Sequence, residues 1–310
     1  YNAAISACEK SELWQQALSL ISGLFDVKLQ PNVISFSAGI SACEKGKQWE
    51  QALSLFSAML QASLEPDVIG YNAAISACAN GGRWQHALFL LSQVLKAKVK
   101  PTITSYAAAV TACEKGAQWQ QAVSLFIALR ESMLELNVRA CSAAISACEK
   151  GEQWQRALIL LSELWALELE PDSISYNAGI SACAKGGQWQ QAMSLFGCFG
   201  RMELELDVIS YTAGLHACEK GGQWQQMLSL LGEFREAALN PDVIGRSAGI
   251  QLCERAGRWW HVVSVLHEVA GEVGARDCRL SWWNPRVREG AAEVHGRLGV
   301  DASLLEPLPP

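Results

Sequence analysis

An amide or hydroxyl side chain recurs every 35 residues, directly after an aromatic residue or its counterpart. The members of this first polar position are Asn2, Ser37, Asn72, Ala107, Ser142, Asn177, Thr212 and Ser247, and only Ala107 lacks a polar group. A second polar position follows a linker and holds Asn32, Asp67, Thr102, Asn137, Asp172, Asp207, Asp242 and Asp277. These groups can hydrogen-bond a ligand. The same residue types also begin and cap helices, and the two interpretations are compatible.

A basic residue also recurs in this register, near the end of the segment that follows the first polar position. Its members are Lys10, Lys45, Lys115, Lys150, Lys185, Lys220 and Arg255, and Asn80 is the exception. Such a row could follow the phosphates of a nucleic acid, or it could place a cation at each helix C-terminus, where the macrodipole favours one. A Glu precedes the basic residue in six intervals, so we expect weak electrostatics.

No pattern of residues indicates catalysis. The carboxylates recur singly rather than as the acid and base that hydrolysis needs, and no P-loop or Rossmann glycine pattern is present. Eight of the eleven cysteines repeat at one position, which indicates buried thiols, and no Cys-x-x-Cys pair favours zinc. The odd cysteine count favours a reducing compartment. The sequence therefore predicts a non-enzymatic protein with no cofactor, no metal and no small-molecule substrate.

Eight tandem repeats of 35 residues, which together span residues 1–277, must position these side chains. Each repeat contains two amphipathic helical segments, and a turn with Gly and then Trp separates them. We expect that glycine to adopt a positive φ at the helix C-terminus, and the Trp to fill the space between repeats. Two short helices cannot bury their apolar faces alone, so the repeats must stack into an all-α solenoid.

The pattern ends after Asp277, and residues 278–310 predict a degenerate repeat or a capping helix followed by a disordered Pro-rich tail.

A net charge of −6 argues against a generally basic nucleic-acid binder, so any such site must be local. No apolar run approaches the ~18 residues of a membrane span, which predicts a soluble protein without a membrane partner. The first repeat is truncated at its start and has no initiator Met, which favours a fragment or a processed form.

The repeat itself carries a resemblance. A 35-residue unit that opens with Ser-Tyr-Asn, places Lys before a Gly turn, continues with Ala-Leu-x-Leu-Phe and closes with Pro-Asp resembles the P-type pentatricopeptide repeat family. The resemblance implies a right-handed solenoid that binds single-stranded RNA of a chloroplast or a mitochondrion, one base per repeat. It implies a role in RNA processing, stability, editing or translation, with other RNA-processing proteins as candidate partners. A protein- or peptide-binding scaffold is the alternative, which the acidic balance favours.

By this resemblance, the two polar positions are base-reading pairs, and the basic row remains the candidate for phosphate contacts. Ser37 with Asp67 resembles a guanine reader, and Asn177 with Asp207 resembles a uridine reader. The whole array implies the order 5′-C-G-Y-N-G-U-G-G, in which Y is a pyrimidine and N is any base. Asn72 with Thr102 and Ala107 with Asn137 depart from the usual combinations, so we expect those two repeats to read poorly.

The resemblance further implies a base clamp, formed by an aliphatic residue two positions before the aromatic one. The matching residues are Ile34, Ile69, Ile174, Ile209 and Ile244. Thr104 and Arg139 occupy the same position without matching it. Both departures weaken the middle of the array, although Arg139 could stack on a base or meet a phosphate.

Overall fold

A computed structural model describes residues 1–26, 29, 31–97, 99–132, 134, 136–200, 202 and 206–236. These residues form fourteen α-helices and no β-strand, so the all-α prediction is confirmed. The first helices of the successive hairpins are α1 (Asn2–Lys10), α3 (Val33–Lys45), α5 (Val68–Asn80), α7 (Ile103–Lys115), α9 (Val138–Lys150), α11 (Ser173–Lys185) and α13 (Val208–Gly221). The second helices are α2 (Trp14–Asp26), α4 (Trp49–Gln61), α6 (Trp84–Lys96), α8 (Trp119–Glu131), α10 (Trp154–Ala166), α12 (Trp189–Phe199) and α14 (Trp224–Glu236). The predicted terminal segment, 278–310, lies outside the described residues.

Two compact units divide the chain, Tyr1–Ala182 and Cys183–Pro310. In the first unit the first helices form a continuous layer, in which α1 packs on α3, α3 on α5, α5 on α7 and α7 on α9. Each second helix from α2 to α8 packs on its own first helix and on the next one, as α4 does with α3 and α5, and α10 packs on α9. Contacts between neighbouring hairpins are the mark of an α-solenoid. In the second unit, α12 and α14 both pack on α13.

The second polar position caps the first helices. The Asp67 carboxylate accepts a hydrogen bond from the backbone N–H of Gly70 at 2.8 Å, and Asn137 accepts one from Ala140 at 2.9 Å. Asn32, Thr102 and Asp207 each form a reciprocal capping box with the Ser three residues later. The capping interpretation is therefore confirmed for the described members of this position.

The turn glycines have a different role from the one expected. Gly46 has φ −72° and Gly81 has φ −83°, so neither needs the left-handed conformation. The positive φ belongs to the next residue, which is Lys47 at 56° and Gly82 at 66°. A Cβ on Gly81 would lie 2.5 Å from Cδ1 of Trp49, on the preceding hairpin. Glycine is required here because the indole ring occupies the volume of a side chain.

The same contact explains the recurring tryptophans. Trp14 lies against Gly46, Trp84 against Gly116 and Trp119 against Gly151, always across to the following hairpin. Each ring is partly buried, and the guanidinium of Arg83 covers the Trp49 ring, with its central carbon 4.4 Å from the ring centroid. The tryptophans thus fill the space between consecutive hairpins, as predicted.

The repeating cysteines are buried free thiols in the described hairpins. Burial raises the pKa of Cys78 to about 12 and that of Cys113 to about 11. Cys43 and Cys78 belong to one buried core with Ile40 and Ile75, to which both first and second helices contribute. Every described helix is too short or too polar to cross a membrane.

Candidate functional site

The two polar positions meet in space wherever both carry a hydrogen-bonding group within the first unit. The Ser37 hydroxyl donates to Oδ1 of Asp67 at 2.8 Å, although the two residues lie 30 positions apart. The Ser142 hydroxyl lies 3.0 Å from Oδ1 of Asp172, and also 2.7 Å from the backbone carbonyl of Val138. Because the capping residue begins the next first helix, each bond joins two neighbouring helices of the layer.

The amide members form the same bond. The Asn2 amide donates to Oδ1 of Asn32 at 3.3 Å, and the Asn72 amide donates to the Thr102 hydroxyl at 3.1 Å. We name these four bonds the inter-helix pairs: Asn2–Asn32, Ser37–Asp67, Asn72–Thr102 and Ser142–Asp172. The helix cap fixes one partner of each pair, so the polar edge that the pair presents is pre-organised.

A third residue, which the sequence reasoning missed, completes several inter-helix pairs. The Ser35 hydroxyl donates to Oδ1 of Asn2 at 2.7 Å and lies 2.9 Å from Oδ1 of Asn32. Ser105 donates to Oδ1 of Asn72 at 2.5 Å, and the Ser175 hydroxyl lies 2.8 Å from that of Ser142. These serines are almost fully buried. Their recurrence three residues after a capping residue, the capping-box spacing, is the signal that could have revealed them.

The remaining predicted pairs have other outcomes. Ala107 cannot hydrogen-bond Asn137 through a side chain, although both residues line one cavity. Asn177 lies on α11 at the edge of the first unit, and Asp207 caps α13 in the second unit. The Thr212 hydroxyl donates to the backbone carbonyl of Val208 at 2.7 Å. The predicted partners and readers Asp242, Ser247 and Asp277, the clamp Ile244 and the basic Arg255 lie outside the described residues.

Isoleucine side chains stand in solvent at the predicted clamp position. Ile34 is 59% exposed, Ile69 63%, Ile174 62% and Ile209 65%. Each is the second residue of its first helix, two residues after the cap. Thr104 and Arg139 are also exposed. A large apolar side chain at the same exposed place on successive helices offers apolar surface to a ligand.

The predicted phosphate-contacting residues lie in the last turn of the first helices, as Lys10 does in α1, Lys185 in α11 and Lys220 in α13. Within the first unit they form a Lys–Glu ladder, which we define by the contacts Lys45–Glu9, Lys115–Asn80 and Lys150–Glu114. The ion pairs span 3.3 Å and 2.9 Å, and Lys115 donates to Oδ1 of Asn80 at 3.4 Å. Carboxylates of the preceding hairpin therefore partly neutralise the basic row.

No cluster of three or more His, Cys, Asp or Glu side chains suited to a metal ion occurs in the described part of the chain. The chemistry that the site offers is therefore hydrogen bonding at the inter-helix pairs and apolar contact at the isoleucines.

Comparisons with known proteins agree with this geometry. The model of the PPR repeat family matches residues 31–80, and the model of the single PPR repeat matches residues 69–99 and 174–203. These segments contain four complete helices of the first unit, α3 to α6. A search among proteins of curated function found no match.

Solved structures give the fold independently. The crystal structure of maize PPR10 superposes with a TM-score of 0.67 at 18% identity, over 96% of this chain and 41% of that one. PPR10 in complex with an 18-nt psaJ RNA element gives 0.57 at 16% identity, over 100% of this chain and 51% of that one. The PPR domain of Arabidopsis thaliana PRORP1 in complex with tRNA gives 0.50 at 12% identity, over 60% and 95%. The chain thus spans about half the length of the PPR10 chains or less.

Proposed function

Pentatricopeptide repeats occupy residues 31–99 and 174–203 of the chain, and on that premise we propose that its layer of first helices binds single-stranded RNA, one base per repeat. The observation that carries the proposal is the set of inter-helix pairs, each of which lies beside an exposed residue at the clamp position. Two structures with the same fold are complexes with RNA, an 18-nt psaJ element and a tRNA. Base reading by two or three side chains per helical repeat is an established mode of RNA recognition.

The hydrogen bonds of the Ser37–Asp67 pair indicate which base it would prefer. The Ser37 hydroxyl and the Gly70 N–H both donate to Oδ1 of Asp67. The hydroxyl proton is thereby directed at Asp67, which leaves the lone pairs of Ser37 Oγ and of Asp67 Oδ2 as acceptors, although Ser37 itself is only 4% exposed. Acceptors complement the N1–H and amino groups of guanine. This agrees with the guanine that the resemblance implies for the second base.

The exposed isoleucines would contribute to affinity rather than to specificity. Stacking on aromatic platforms contributes about 1–3 kcal/mol per base, and aliphatic side chains offer less. Residues Ile34 and Ile69 flank the Ser37–Asp67 pair in sequence and are both more than half exposed. We assign them as the two sides of the second base site.

The basic row would add a modest electrostatic contribution. Lys45 and Lys150 already pair with Glu9 and Glu114, so each would have to exchange a carboxylate for a phosphate. Fewer phosphates neutralised means a shallower dependence of affinity on salt. We therefore expect sequence preference to persist when salt is raised.

Fluorescence anisotropy with labelled RNA tests the proposal. The order 5′-C-G-Y-N-G-U-G-G, placed in a uridine-rich carrier, is compared at two salt concentrations with a scrambled RNA of equal composition. Tighter binding of the ordered RNA at both concentrations supports base reading. Equal weak binding of the two RNAs contradicts it, and a lack of binding favours the alternative peptide-binding scaffold.

A single substitution sharpens this test. Ser37→Asn places an amide opposite Asp67, which recreates the Asn177 and Asp207 combination that resembles a uridine reader. We expect the preference at the second base to change from guanine to uridine. Ser142→Asn is the matched control, because it should change the fifth base and leave the second unaltered. If Ser37→Asn shifts no preference, or shifts every position equally, the residue does not read a base.

We further propose that the RNA is a chloroplast or mitochondrial transcript and that the chain acts without catalysis, in its processing, stability, editing or translation. The support is the family and the free thiols in the core, which suit a reducing compartment. Sequencing of RNA crosslinked to the protein in isolated organelles tests this, and enrichment of nuclear transcripts instead would contradict it.

A further inference from the structure

Four departures from the repeat pattern meet in one cavity of the first unit. The cavity has a volume of about 210 Å³ and lies among α3, α5, α7 and α9. Asn80 replaces the basic residue of the ladder, Thr104 and Arg139 replace clamp isoleucines, and Ala107 replaces the polar reader. These four residues span 60 positions of sequence, and all of them line the cavity.

The small side chain of Ala107 accounts for the open volume of the cavity. At the equivalent place in α9, the Ser142 hydroxyl bonds to Asp172 and fills the gap between helices. Ala107 leaves that gap open towards Asn137. Thr104, Ala107 and Thr111 share one face of α7, because they are three and four residues apart. This face runs for about 10 Å along the helix, and it forms the floor of the cavity.

Asn80 explains why a carboxylate faces the cavity. In the Lys–Glu ladder, Glu9 and Glu114 are each paired with the Lys of the next first helix. Glu44 has Asn80 in that place, and the Asn80 amide donates to the backbone carbonyl of Glu44 at 3.3 Å. The Ser76 hydroxyl, which also lines the cavity, favours the ionised form of the Glu44 carboxylate and lowers its pKa.

Three charged side chains affect the pKa of the Glu44 carboxyl: Glu9, Lys45 and Arg139. Burial raises the pKa of the Glu44 carboxyl, as does the negative charge of Glu9, whereas Lys45 and Arg139 favour the ionised form and lower it. Arg139 is exposed at the start of α9 and lies 95 positions from Glu44 in sequence. The lining of the cavity therefore includes both an acceptor carboxylate and a cation.

We propose that this cavity binds a guanine base of the RNA, with the Glu44 carboxylate accepting hydrogen bonds from the N1–H and the exocyclic amino group, and with Arg139 contacting a flanking phosphate. The inference rests on the proposed RNA binding and deepens it. It assigns guanine to the fourth base, which the pair Ala107 and Asn137 leaves undetermined, and it assigns the reading to a residue of a different repeat.

Donor geometry is the reason for guanine. An ionised carboxylate only accepts hydrogen bonds, and it has two oxygens side by side. Guanine presents two adjacent donors on its Watson–Crick edge. Adenine and cytosine place a ring nitrogen lone pair beside their amino group, and uracil places its one N–H between two carbonyl oxygens. Each of these three bases therefore sets an acceptor against the carboxylate.

Four RNAs that differ only at the fourth base of the ordered octamer test the inference. We expect the guanine RNA to bind at least about fivefold more tightly than the other three, the lower end for a bidentate pair. Glu44→Gln replaces one acceptor oxygen with a donor, so this preference should disappear. Glu114→Gln is the matched control, because Glu114 is engaged by Lys150, and it should retain the preference.

A second variant makes the result independent of any loss of structure in the first. Asn80→Lys restores the residue that the other hairpins carry and supplies Glu44 with a partner, so it too should abolish the guanine preference in a folded protein. Equal binding of the four RNAs by the wild type, or a preference that survives both Glu44→Gln and Asn80→Lys, overturns the inference while RNA binding stands. If none of the four RNAs binds, the proposed function fails and the inference fails with it.

Discussion

Because Gly81 contacts Trp49, we expect Gly81→Ala to lower the free energy of unfolding, whereas helix propensity alone predicts that it raises it. Gly81 ends α5 with φ −83° and ψ 0°, a conformation in which Ala normally stabilises a protein by about 0.4–1 kcal/mol relative to Gly. Local chemistry alone therefore predicts that Gly81→Ala raises the free energy of unfolding.

The tertiary contact reverses this expectation. The new Cβ would lie 2.5 Å from Cδ1, 2.6 Å from Cγ and 3.0 Å from Cβ of Trp49, whereas carbon atoms pack best at about 3.5–4.0 Å. Two of these atoms are close to the backbone of α4, so the ring cannot relieve the contact by moving its far edge alone. Overpacking of this kind costs about 1–3 kcal/mol. We expect a net loss of about 1–2 kcal/mol once the favourable propensity is subtracted.

Urea unfolding followed by far-ultraviolet circular dichroism measures the change. Gly82→Ala is the control, because no atom lies within 4 Å of the added Cβ. The φ of 66° at this position costs about 1 kcal/mol for Ala. That cost should be independent of Trp49, because no atom of the ring contacts the added Cβ. Ala117 occupies the equivalent turn position at φ 53°.

A double-mutant cycle isolates the indole contact. In a Trp49→Ala background the ring is absent, so Gly81→Ala should become neutral or stabilising, which gives a coupling energy of about 1–3 kcal/mol. The reasoning is refuted if Gly81→Ala stabilises the wild type, or if its effect is the same with and without the Trp49 ring.

Two further predictions concern single side chains. Asp207→Ala removes the capping box of α13 and should lower the free energy of unfolding by about 1 kcal/mol. Thermal melts measure the change, with Asp207→Asn as the control that retains a capping side chain. Equal Tm values for the Ala and Asn variants would contradict the prediction. Iodoacetamide at pH 8 should label exposed Cys198 before buried Cys43 and Cys113, because burial raises the pKa of both to about 11 and keeps them as neutral thiols until the pH approaches that value. Mass spectrometry follows the labelling, and equal rates in the folded protein would disprove the burial argument.

Much of the fold was predictable because it depends on local chemistry repeated at a fixed interval. Apolar periodicity gave the helices, and the capping residues marked their starts: Asp67 and Asn137 cap α5 and α9 as expected. Stacking of the hairpins followed from the inability of two short helices to bury their apolar faces. The repeating cysteines were correctly assigned to the core, because they recur at one position of every repeat and behave as small apolar side chains.

The turn glycines show where local reasoning fails. A Gly near a helix end usually serves a positive φ, and the sequence contains nothing to indicate otherwise for Gly46 or Gly81. The residue that needs the positive φ is the following one, which is Lys in one turn and Gly in another. The requirement for Gly at position 46 or 81 comes from an indole more than 30 residues away, so only the packed structure reveals it.

The sequence by itself determined the period, the helix boundaries and the two polar positions, because each depends on neighbours within a few residues. Only the tertiary structure decided that Ser37 bonds Asp67, that Ser35 joins Asn2 and Asn32, and that the ladder is interrupted in front of Glu44. These contacts join residues about 30 to 36 positions apart, and their existence depends on how closely consecutive helices approach. That separation depends on the tryptophans and the turn glycines between the hairpins, acting together rather than at any one position.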